Sequence, residues 1–314
     1  MAGSRGAGRV LVCDPFYSLD LVRDLLVGVP VEVATRPWAG DDVVALLTGP
    51  DYPVEEEDLD RLPALRIIAT CSVGYEHLPL EAARRLGVWV ANIPDYCVEE
   101  MADSALAHLL ALLRGVVVLD RNVRAGGWDW TAAGPIRKLR DTRLGVIGFG
   151  RIGRALAARA IALGMEVWAT DPVVPTETIA SAGARPAAFD ELIASCGAFS
   201  LHVPLGPETQ GLIGERELTR MPHGAVLVNT SRAALVDQDA LLVALASGHL
   251  AAAALDVLPA EPPTPEHPLP VAPTLVVTPH AAWYSLEAEE AAQRRAVLAV
   301  RTALAGTKPP ESLT

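Results

Sequence analysis

Aromatic residues and cysteines are scarce in this chain of 314 residues. Phe, Trp and Tyr make up 5% of it, while 51% of the residues are hydrophobic, so its cores must be built mainly from Ala, Val and Leu. A chain of this length is expected to form two domains. The four cysteines lie far apart, in or beside apolar runs, and do not have the spacing of metal ligands. We expect reduced, buried thiols in a cytoplasmic protein, and no metal site.

Positive charge and long apolar segments are also in short supply. The 26 Lys and Arg residues face 38 Asp and Glu residues, for a formal net charge of −12, so we expect no direct binding of nucleic acid. Residues 1–9 are rich in glycine and lack the apolar core of a signal peptide, which predicts a flexible lead. The most apolar helix candidate, residues 105–119, is interrupted by His108 and Arg114. It is too short and too polar to cross a bilayer, so we expect no membrane association.

Residues 144–153 read Leu-Gly-Val-Ile-Gly-Phe-Gly-Arg-Ile-Gly and organise the chain. An apolar strand candidate leads into Gly148-x-Gly150-x-x-Gly153, a helical segment follows, and Asp171 stands about twenty residues further on. This is the pattern of a dinucleotide-binding βαβ unit. Gly148 permits the tight turn, Gly150 lets the backbone approach a pyrophosphate, and Gly153 lets the helix lie close to the strand. The helix N-terminus offers N–H groups to the phosphates.

Asp171 bears on the choice of cofactor. Its carboxylate can accept hydrogen bonds from the adenosine ribose hydroxyls and would repel a 2′-phosphate, which favours NAD over NADP. A glycine-rich turn alone is also typical of an ordinary strand–helix connection. The strand, the helix and the spaced acid together favour the cofactor site. The cofactor-binding residues predicted in this unit are Gly148, Gly150, Arg151, Ile152, Gly153 and Asp171.

Short apolar runs alternate with helical segments along the rest of the chain. This alternation predicts an α/β protein with parallel sheets covered on both faces. One long helix is predicted from about residue 98 to residue 119, and a proline-rich loop at residues 259–273. The irregular stretch that contains Trp128 and Trp130 suits a subunit contact better than a solvent loop.

Polar residues follow several predicted strands, where ligands bind in open parallel sheets. Of these, Arg232 and His280, with Glu261 from the proline-rich loop, suit reduction of a keto acid. An arginine holds a carboxylate with two parallel hydrogen bonds, a histidine supplies and recovers a proton, and a nearby carboxylate favours the protonated histidine. Each residue also has a purely structural interpretation. His280 can be a capping or core residue, Arg232 can form a salt bridge with Asp237, and Glu261 can be a solvated side chain of the loop.

Five motifs, taken together, resemble those of the D-2-hydroxyacid dehydrogenase family. They occur in the family's order and spacing: the glycine loop with Asp171, Leu201–Pro204, Val228–Arg232, Ala254–Val257 with Glu261-Pro262, and Thr278–Ala281. The resemblance implies a Rossmann NAD-binding domain, residues 98–282, inserted into a flavodoxin-like substrate domain, residues 1–97 and 283–314. It also implies an active site in the cleft between them and a homodimer formed through the NAD domain.

The resemblance further implies roles for individual residues. His280 would be the acid/base, Glu261 its partner, and Arg232 the residue that orients the substrate carboxylate and carbonyl. Val73 and Gly74 would offer backbone N–H groups to the substrate carboxylate. Asp256 would hold the nicotinamide carboxamide. The cofactor-binding positions carried over by these motifs are His202, Pro204, Thr209, Thr230, Ser231, Asp256 and His280.

Two stretches, residues 98–104 and 279–285, are similar to the C-terminal-binding proteins, NAD(H)-dependent corepressors that keep the dehydrogenase fold. This places the chain nearest a branch similar to those proteins and to phosphoglycerate dehydrogenases. In the corepressor branch the tryptophan at the position of Trp283 lines the substrate pocket; packing between domains is the equal alternative.

Three functions are therefore weighed. The first is NAD(H)-dependent interconversion of a 2-oxo acid and a D-2-hydroxy acid. The second is an NAD(H)-sensing dimeric binding module with little turnover. The third is a dehydrogenase of a phosphorus-containing or one-carbon acid.

Overall fold

The computed structural model describes residues 8–266 and 271–314, and it divides the chain into two compact units. The first unit runs to Tyr96 and resumes at Ser285, and the second is Cys97–Tyr284. Most of the lead expected at residues 1–9, and residues 267–270 of the proline-rich loop, lie outside the described residues. The rest of that loop contains no helix, and no strand before β12 at its end.

The described residues contain twelve β-strands and eleven α-helices. The strands are β1 Arg9–Val12, β2 Val31–Val33, β3 Val43–Thr48, β4 Ile67–Thr70, β5 Trp89–Ala91, β6 Arg143–Ile147, β7 Glu166–Thr170, β8 Arg185–Pro186, β9 Ala198–Leu201, β10 Ala225–Asn229, β11 Leu250–Leu255 and β12 Leu275–Val277. The helices are α1 Leu19–Leu25, α2 Glu56–Asp60, α3 Leu80–Leu86, α4 Val98–Leu113, α5 Val116–Arg124, α6 Arg151–Ala162, α7 Thr176–Ser181, α8 Phe189–Ser195, α9 Glu215–Arg220, α10 Gln238–Ala246 and α11 Leu286–Leu304.

The first unit is built on a five-stranded parallel sheet in the order β2-β1-β3-β4-β5. This is the flavodoxin-like strand order. Helices α1 and α11 cover one face, where α11 buries an alanine- and valine-rich stripe, and α2 and α3 cover the other. The prediction of a flavodoxin-like sheet is confirmed.

The second unit is built on a seven-stranded parallel sheet in the order β12-β11-β10-β9-β6-β7-β8. Read from β6, six of these strands follow the Rossmann order, and β12 extends the sheet beyond β11. Apolar clusters line both faces of the sheet. The predicted α/β class with parallel sheets and a Rossmann unit is confirmed, and the four cysteines are free and buried.

The single long helix predicted from residue 98 to residue 119 is wrong. The segment forms two helices, α4 and α5, bent by 59° at Gly115. Gly115 has a φ of 63°, and a Cβ there would stand 2.4 Å from the Cβ of Ala133. Glycine is therefore required at the break. Within the described residues no single helix is long and apolar enough to cross a membrane, and α4 with α5 would pass only as a bent pair.

Candidate active site

Six strand ends of the seven-stranded sheet lie in one row. The last residues of these strands are paired in register. In sheet order from β7 to β12, they are Thr170, Ile147, Leu201, Asn229, Leu255 and Val277. The residues that follow them line the carboxyl edge of the sheet: Asp171, Gly148, His202, Thr230, Asp256 and Thr278. Ligands of open α/β sheets bind at this edge. The register therefore brings together five of the site residues predicted from the sequence, and adds Thr278.

The glycine loop lies tight against its neighbours at two glycines and is open at the third. A Cβ at Gly148, whose φ is 93°, would stand 2.5 Å from the carbonyl oxygen of His202, and one at Gly153 would stand 2.1 Å from the carbonyl oxygen of Gly148. A Cβ at Gly150 would meet no protein atom within 4 Å. Space is therefore left above Gly150, which fits the close approach of a pyrophosphate.

The first turn of α6 faces that space. Gly150 is its N-cap and has no side chain with which to cap the helix, and Arg151 and Ile152 begin its first turn. The unsatisfied N–H groups at a helix N-terminus carry a partial positive charge. An anionic group above Gly150 would be stabilised there, so the loop and the helix fit a dinucleotide.

Asp171 is tied to the glycine loop by its backbone. Its Oδ2 accepts a hydrogen bond from the N–H of Phe149 at 2.7 Å, and its Oδ1 accepts from the N–H groups of Val173 at 2.8 Å and Val174 at 3.0 Å. Burial opposes ionisation, but these three donors outweigh it and lower the pKa of Asp171. An ionised carboxylate therefore stands at the end of β7, as recognition of a ribose requires.

Two buried polar atoms at the ends of β9 and β10 have no hydrogen-bond partner among the described residues. They are Nδ1 of His202 and Oγ1 of Thr230. Nε2 of His202 is 2.8 Å from the buried hydroxyl of Ser200, and burial lowers the pKa of His202 to about 4. The unpartnered Nδ1 of a neutral imidazole and an unpartnered hydroxyl fit the polar groups of a bound cofactor, because buried polar atoms are normally satisfied.

The remaining predicted cofactor positions make local contacts. Thr209 Oγ1 donates to the carbonyl oxygen of Pro204 at 2.7 Å and accepts from the N–H of Gly206 at 2.8 Å, which closes the turn after β9. Ser231 Oγ donates to the carbonyl oxygen of Leu201 at 2.6 Å. In the structure Thr209 and Ser231 therefore shape the backbone at the sheet edge.

His280 and Glu261 form a close pair. Nδ1 of His280 donates to Oε2 of Glu261 at 2.6 Å, and the N–H of Leu258 donates to Oε1 of Glu261 at 2.7 Å. The hydrogen bond to Glu261 raises the pKa of His280 against the effect of burial. Burial of Glu261 is in turn outweighed by His280 and the Leu258 N–H, so the pKa of Glu261 is lowered.

His280 has an unusual backbone. Its φ is 53°, and it is the one non-glycine residue with a positive φ among those described. Its N–H donates to the carbonyl oxygen of Asp256 at 2.8 Å. Such a conformation costs free energy and is concentrated at functional sites, where neighbouring contacts hold it in place.

Arg232 lies in the electrostatic range of this pair, and its positive charge lowers the pKa of both Glu261 and His280. Its backbone is held by the buried side chain of Asn229, whose Nδ2 donates to the Arg232 carbonyl oxygen at 2.8 Å. Asp237, the alternative partner considered for Arg232, caps helix α10 by accepting from the N–H of Ala240 at 3.0 Å. The three residues proposed for the chemistry therefore lie at one end of the sheet.

Asp256 is 1% exposed, and both of its carboxylate oxygens contact the segment that carries His280. Its Oδ1 accepts from the hydroxyl of Thr278 at 2.5 Å and from the N–H of Ala281 at 3.0 Å, and its Oδ2 accepts from the N–H of Ala282 at 2.8 Å. The observed contacts of Asp256 thus hold the loop in position. Its contact with a nicotinamide carboxamide stays a prediction.

Val73 and Gly74 belong to the first unit, in a turn that follows β4. The carbonyl oxygen of Ser72 accepts from the N–H of Ile93 at 3.0 Å, and that of Val73 accepts from Nδ2 of Asn92 at 2.7 Å. In a trans peptide the following N–H points the opposite way. The N–H groups of Val73 and Gly74 therefore both point away from residues 92–93, in an arrangement suited to an anion.

Trp283 packs edge to face against Tyr284, with ring centroids 5.5 Å apart. Pocket lining and packing remain equal alternatives for Trp283. Residues that sequence reasoning missed are Thr278, Asn92, Ser200 and His108. Asn92 and Thr278 follow strand ends, a signal that could have found them. His108 gave no such signal, since it interrupts an apolar helix.

Comparison with known proteins gives consistent similarities. A family model described as D-isomer specific 2-hydroxyacid dehydrogenase, NAD binding domain, matches residues 106–282. A protein named glyoxylate reductase from Korarchaeum cryptofilum is 38% identical over 287 residues, which cover 90% of this chain and 84% of that protein.

Two further similarities differ in their coverage. A D-3-phosphoglycerate dehydrogenase from Mycobacterium leprae is 38% identical over 269 residues, 86% of this chain and 51% of that protein, so the chain spans about half of that relative. The crystal structure of a D-lactate dehydrogenase from Aquifex aeolicus, complexed with NAD and lactic acid, has a TM-score of 0.85 at 26% identity. It covers 95% of this chain and 96% of that one.

Proposed function

Because the chain belongs to the D-isomer specific 2-hydroxyacid dehydrogenase family, we propose that it interconverts a 2-oxo acid and a D-2-hydroxy acid with His280 as the acid/base. The chain is an NAD-dependent oxidoreductase of small 2-oxo or 2-hydroxy acids. The single observation that carries the residue assignment is the 2.6 Å hydrogen bond between Nδ1 of His280 and Glu261, with the charge of Arg232 close by.

The chemistry divides between the cofactor and the side chains. When bound, NAD(H) supplies or accepts the hydride at the carbonyl carbon. Arg232 holds the substrate carboxylate through two parallel hydrogen bonds and orients the carbonyl. The backbone N–H groups of Val73 and Gly74, in the first unit, are candidate donors to a carboxylate. Nδ1 of His280 is engaged by Glu261, so Nε2 is the atom that exchanges a proton with the substrate oxygen.

The proton balance follows from this arrangement. In reduction, protonated His280 gives its Nε2 proton to the oxygen that becomes the hydroxyl, and it recovers a proton from solvent. In oxidation, neutral His280 takes the hydroxyl proton. Glu261 stays ionised in both directions and stabilises the imidazolium.

The proposal is tested by NADH oxidation against a panel of 2-oxo acids that includes glyoxylate, pyruvate and hydroxypyruvate. We expect turnover with at least one of them and much weaker activity with NADPH because Asp171 is ionised. Pyruvate or hydroxypyruvate should give the D-hydroxy acid as judged by chiral chromatography, whereas the glycolate formed from glyoxylate is achiral. Formate and phosphite with NAD serve as comparison substrates. Tight NADH binding without turnover of any acid would instead identify an NAD(H)-sensing binding module and contradict the proposal.

A homodimer is the second part of the proposal, and two tryptophans support it. Trp128 is 90% exposed and Trp130 is 84% exposed. The turn that carries them is anchored, since the N–H groups of Gly127 and Asp129 donate to the backbone and side-chain oxygens of Asn122. Large exposed aromatic groups on an anchored turn are typical of a protein interface.

Replacing both Trp128 and Trp130 with serine should weaken the dimer by about 10²-fold or more, because each buried aromatic anchor contributes about 2 kcal/mol. Sedimentation velocity over a concentration series measures the dissociation constant. The control is Val243→Ser, which changes an exposed apolar residue of α10. A monomeric wild-type protein, or an equally stable double variant, would contradict this assignment of the interface.

A further inference from the structure

Helix α4 forms contacts with both ends of the segment, residues 278–282, that carries His280. Near its middle, Nε2 of His108 lies 3.3 Å from the hydroxyl oxygen of Thr278. One turn earlier, the hydroxyl of Ser104 donates to the carbonyl oxygen of Ala282 at 3.1 Å. Residues four apart share one face of a helix, so both contacts come from the same side of α4. His280 lies between the two contacted residues, Thr278 and Ala282.

The contact of His108 continues to a buried charge. The hydroxyl of Thr278 is 2.5 Å from Oδ1 of Asp256, and that carboxylate also accepts from the N–H groups of Ala281 and Ala282. The chain of contacts therefore runs from His108 through Thr278 to Asp256, and from Asp256 to the backbone on the C-terminal side of His280.

Counting donors and acceptors defines what position 108 must provide. The Ser104 carbonyl oxygen, 2.8 Å from Nδ1 of His108, can only accept, so Nδ1 carries a hydrogen. The single hydroxyl hydrogen of Thr278 points to the charged oxygen of Asp256, which is much the closer acceptor. The Thr278 oxygen is then free to accept, so a donor at the place of Nε2 completes the contact.

We propose that His108 is a positioning residue for hydride transfer, acting through Thr278 and Asp256 to hold the His280 loop in the geometry that pairs His280 with Glu261. His108 has no part in the proton transfer itself. Its role rests on the proposed function, because it matters to catalysis only if His280 is the acid/base. The strained backbone of His280 explains the need for such a support: a positive φ persists only where surrounding contacts hold it.

A pair of conservative variants separates positioning from mere packing. In His108→Gln the amide nitrogen reaches the place of Nε2 and can still donate to Thr278. In His108→Asn the shorter side chain reaches only the place of Nδ1. We expect kcat for 2-oxo acid reduction to fall about three- to tenfold in the Asn variant, the effect of one lost hydrogen bond. The KM for NADH should stay unchanged, and the Gln variant should keep most of the wild-type kcat.

The pH profile is the readout that a packing role would not move. His280 faces Glu261, Asp256 and Arg232, and the hydrogen bond that it donates to Glu261 keeps its pKa raised. Reduction needs protonated His280, so kcat/KM falls as the pH rises through that pKa. If the loop is loosened, the pairing of His280 with Glu261 weakens and the pKa of His280 decreases. The decline of kcat/KM should therefore move to lower pH in His108→Asn but not in His108→Gln. His223→Asn, an exposed histidine before β10, is the control.

The outcomes separate the two proposals. Activity of His280→Asn close to that of the wild type overturns the proposed function, in which His280 is the acid/base. A His108→Asn enzyme with wild-type kcat and pH profile, beside an inactive His280→Asn enzyme, overturns only the role of His108. So does a loss of kcat with an unmoved pH profile and no recovery in the Gln variant. Should His108→Asn fail to fold, Thr278→Ser and Thr278→Val repeat the test, and wild-type behaviour of the Val variant overturns the proposal.

Discussion

Replacing His280 with asparagine is expected to lower kcat for 2-oxo acid reduction by about 10²–10⁴-fold, the usual contribution of a positioned acid. Asparagine is chosen because it tolerates the positive φ of this position better than other side chains, so the loss can be assigned to the missing proton donor. Initial rates of NADH oxidation measure kcat. NADH binding, followed by fluorescence, should change little.

Glu261→Gln is the companion variant for His280. The carboxylate of Glu261 raises the pKa of His280, so its removal should let that pKa fall toward the ordinary value. Because reduction uses the protonated imidazole, the decline of kcat/KM with rising pH should begin at lower pH than in the wild type. In the oxidation direction, the rise of kcat/KM with pH should likewise begin at a lower pH than in the wild type. A pH profile that Glu261→Gln leaves unchanged would show that Glu261 does not set the pKa of the acid/base.

Replacing Arg232 with alanine is expected to lower kcat/KM for the 2-oxo acid by about 10²–10⁴-fold. Two charge-assisted hydrogen bonds are lost, each of about 1.5–3 kcal/mol, and about 1.4 kcal/mol corresponds to a factor of ten. Arg232→Lys should retain part of the activity, since a lysine keeps the charge but cannot form two parallel bonds to one carboxylate.

Steady-state kinetics with the acid varied at saturating NADH provide the measurement for Arg232. Arg216→Ala is the matched control, because Arg216 is an exposed arginine of α9 whose side chain is 68% exposed. Added guanidinium should restore part of the activity to Arg232→Ala and none to His280→Asn. If Arg232→Ala instead weakened NADH binding and left the KM for the acid unchanged, Arg232 would belong to the cofactor site.

The glycine loop could be predicted from the sequence because its spacing reflects local requirements. Gly148 needs a positive φ and Gly153 meets a carbonyl oxygen five residues earlier, within one turn and the helix that follows it; the close approach of the His202 carbonyl oxygen to Gly148 adds a constraint that the spacing does not show. The break at Gly115 was missed for the opposite reason. Its tight neighbour is Ala133, which approaches from another part of the chain, and the apolar pattern of residues 98–119 continues through the break.

His108 and Thr278 show where local patterns stop being informative. In the sequence His108 only interrupts an apolar helix, and Thr278 is one of several polar residues at a strand end. Their contact depends on how α4 packs on the sheet, which spacing along the chain does not encode. The pairing of His280 with Glu261 could be suggested from residue types, but the 2.6 Å distance depends on the path of the loop between β11 and β12.

Strand and helix periodicity, the glycine spacing and the residue types at strand ends were sufficient to predict two parallel α/β sheets, a dinucleotide site and a set of chemically suitable side chains. Only the tertiary structure decided which of those side chains are neighbours. A period of two along a strand identifies its buried faces, whereas register between strands depends on hydrogen bonds with partners far away in the sequence. That register places Asp256 beside Thr278, and so builds the support of His280 at the carboxyl edge of the second sheet.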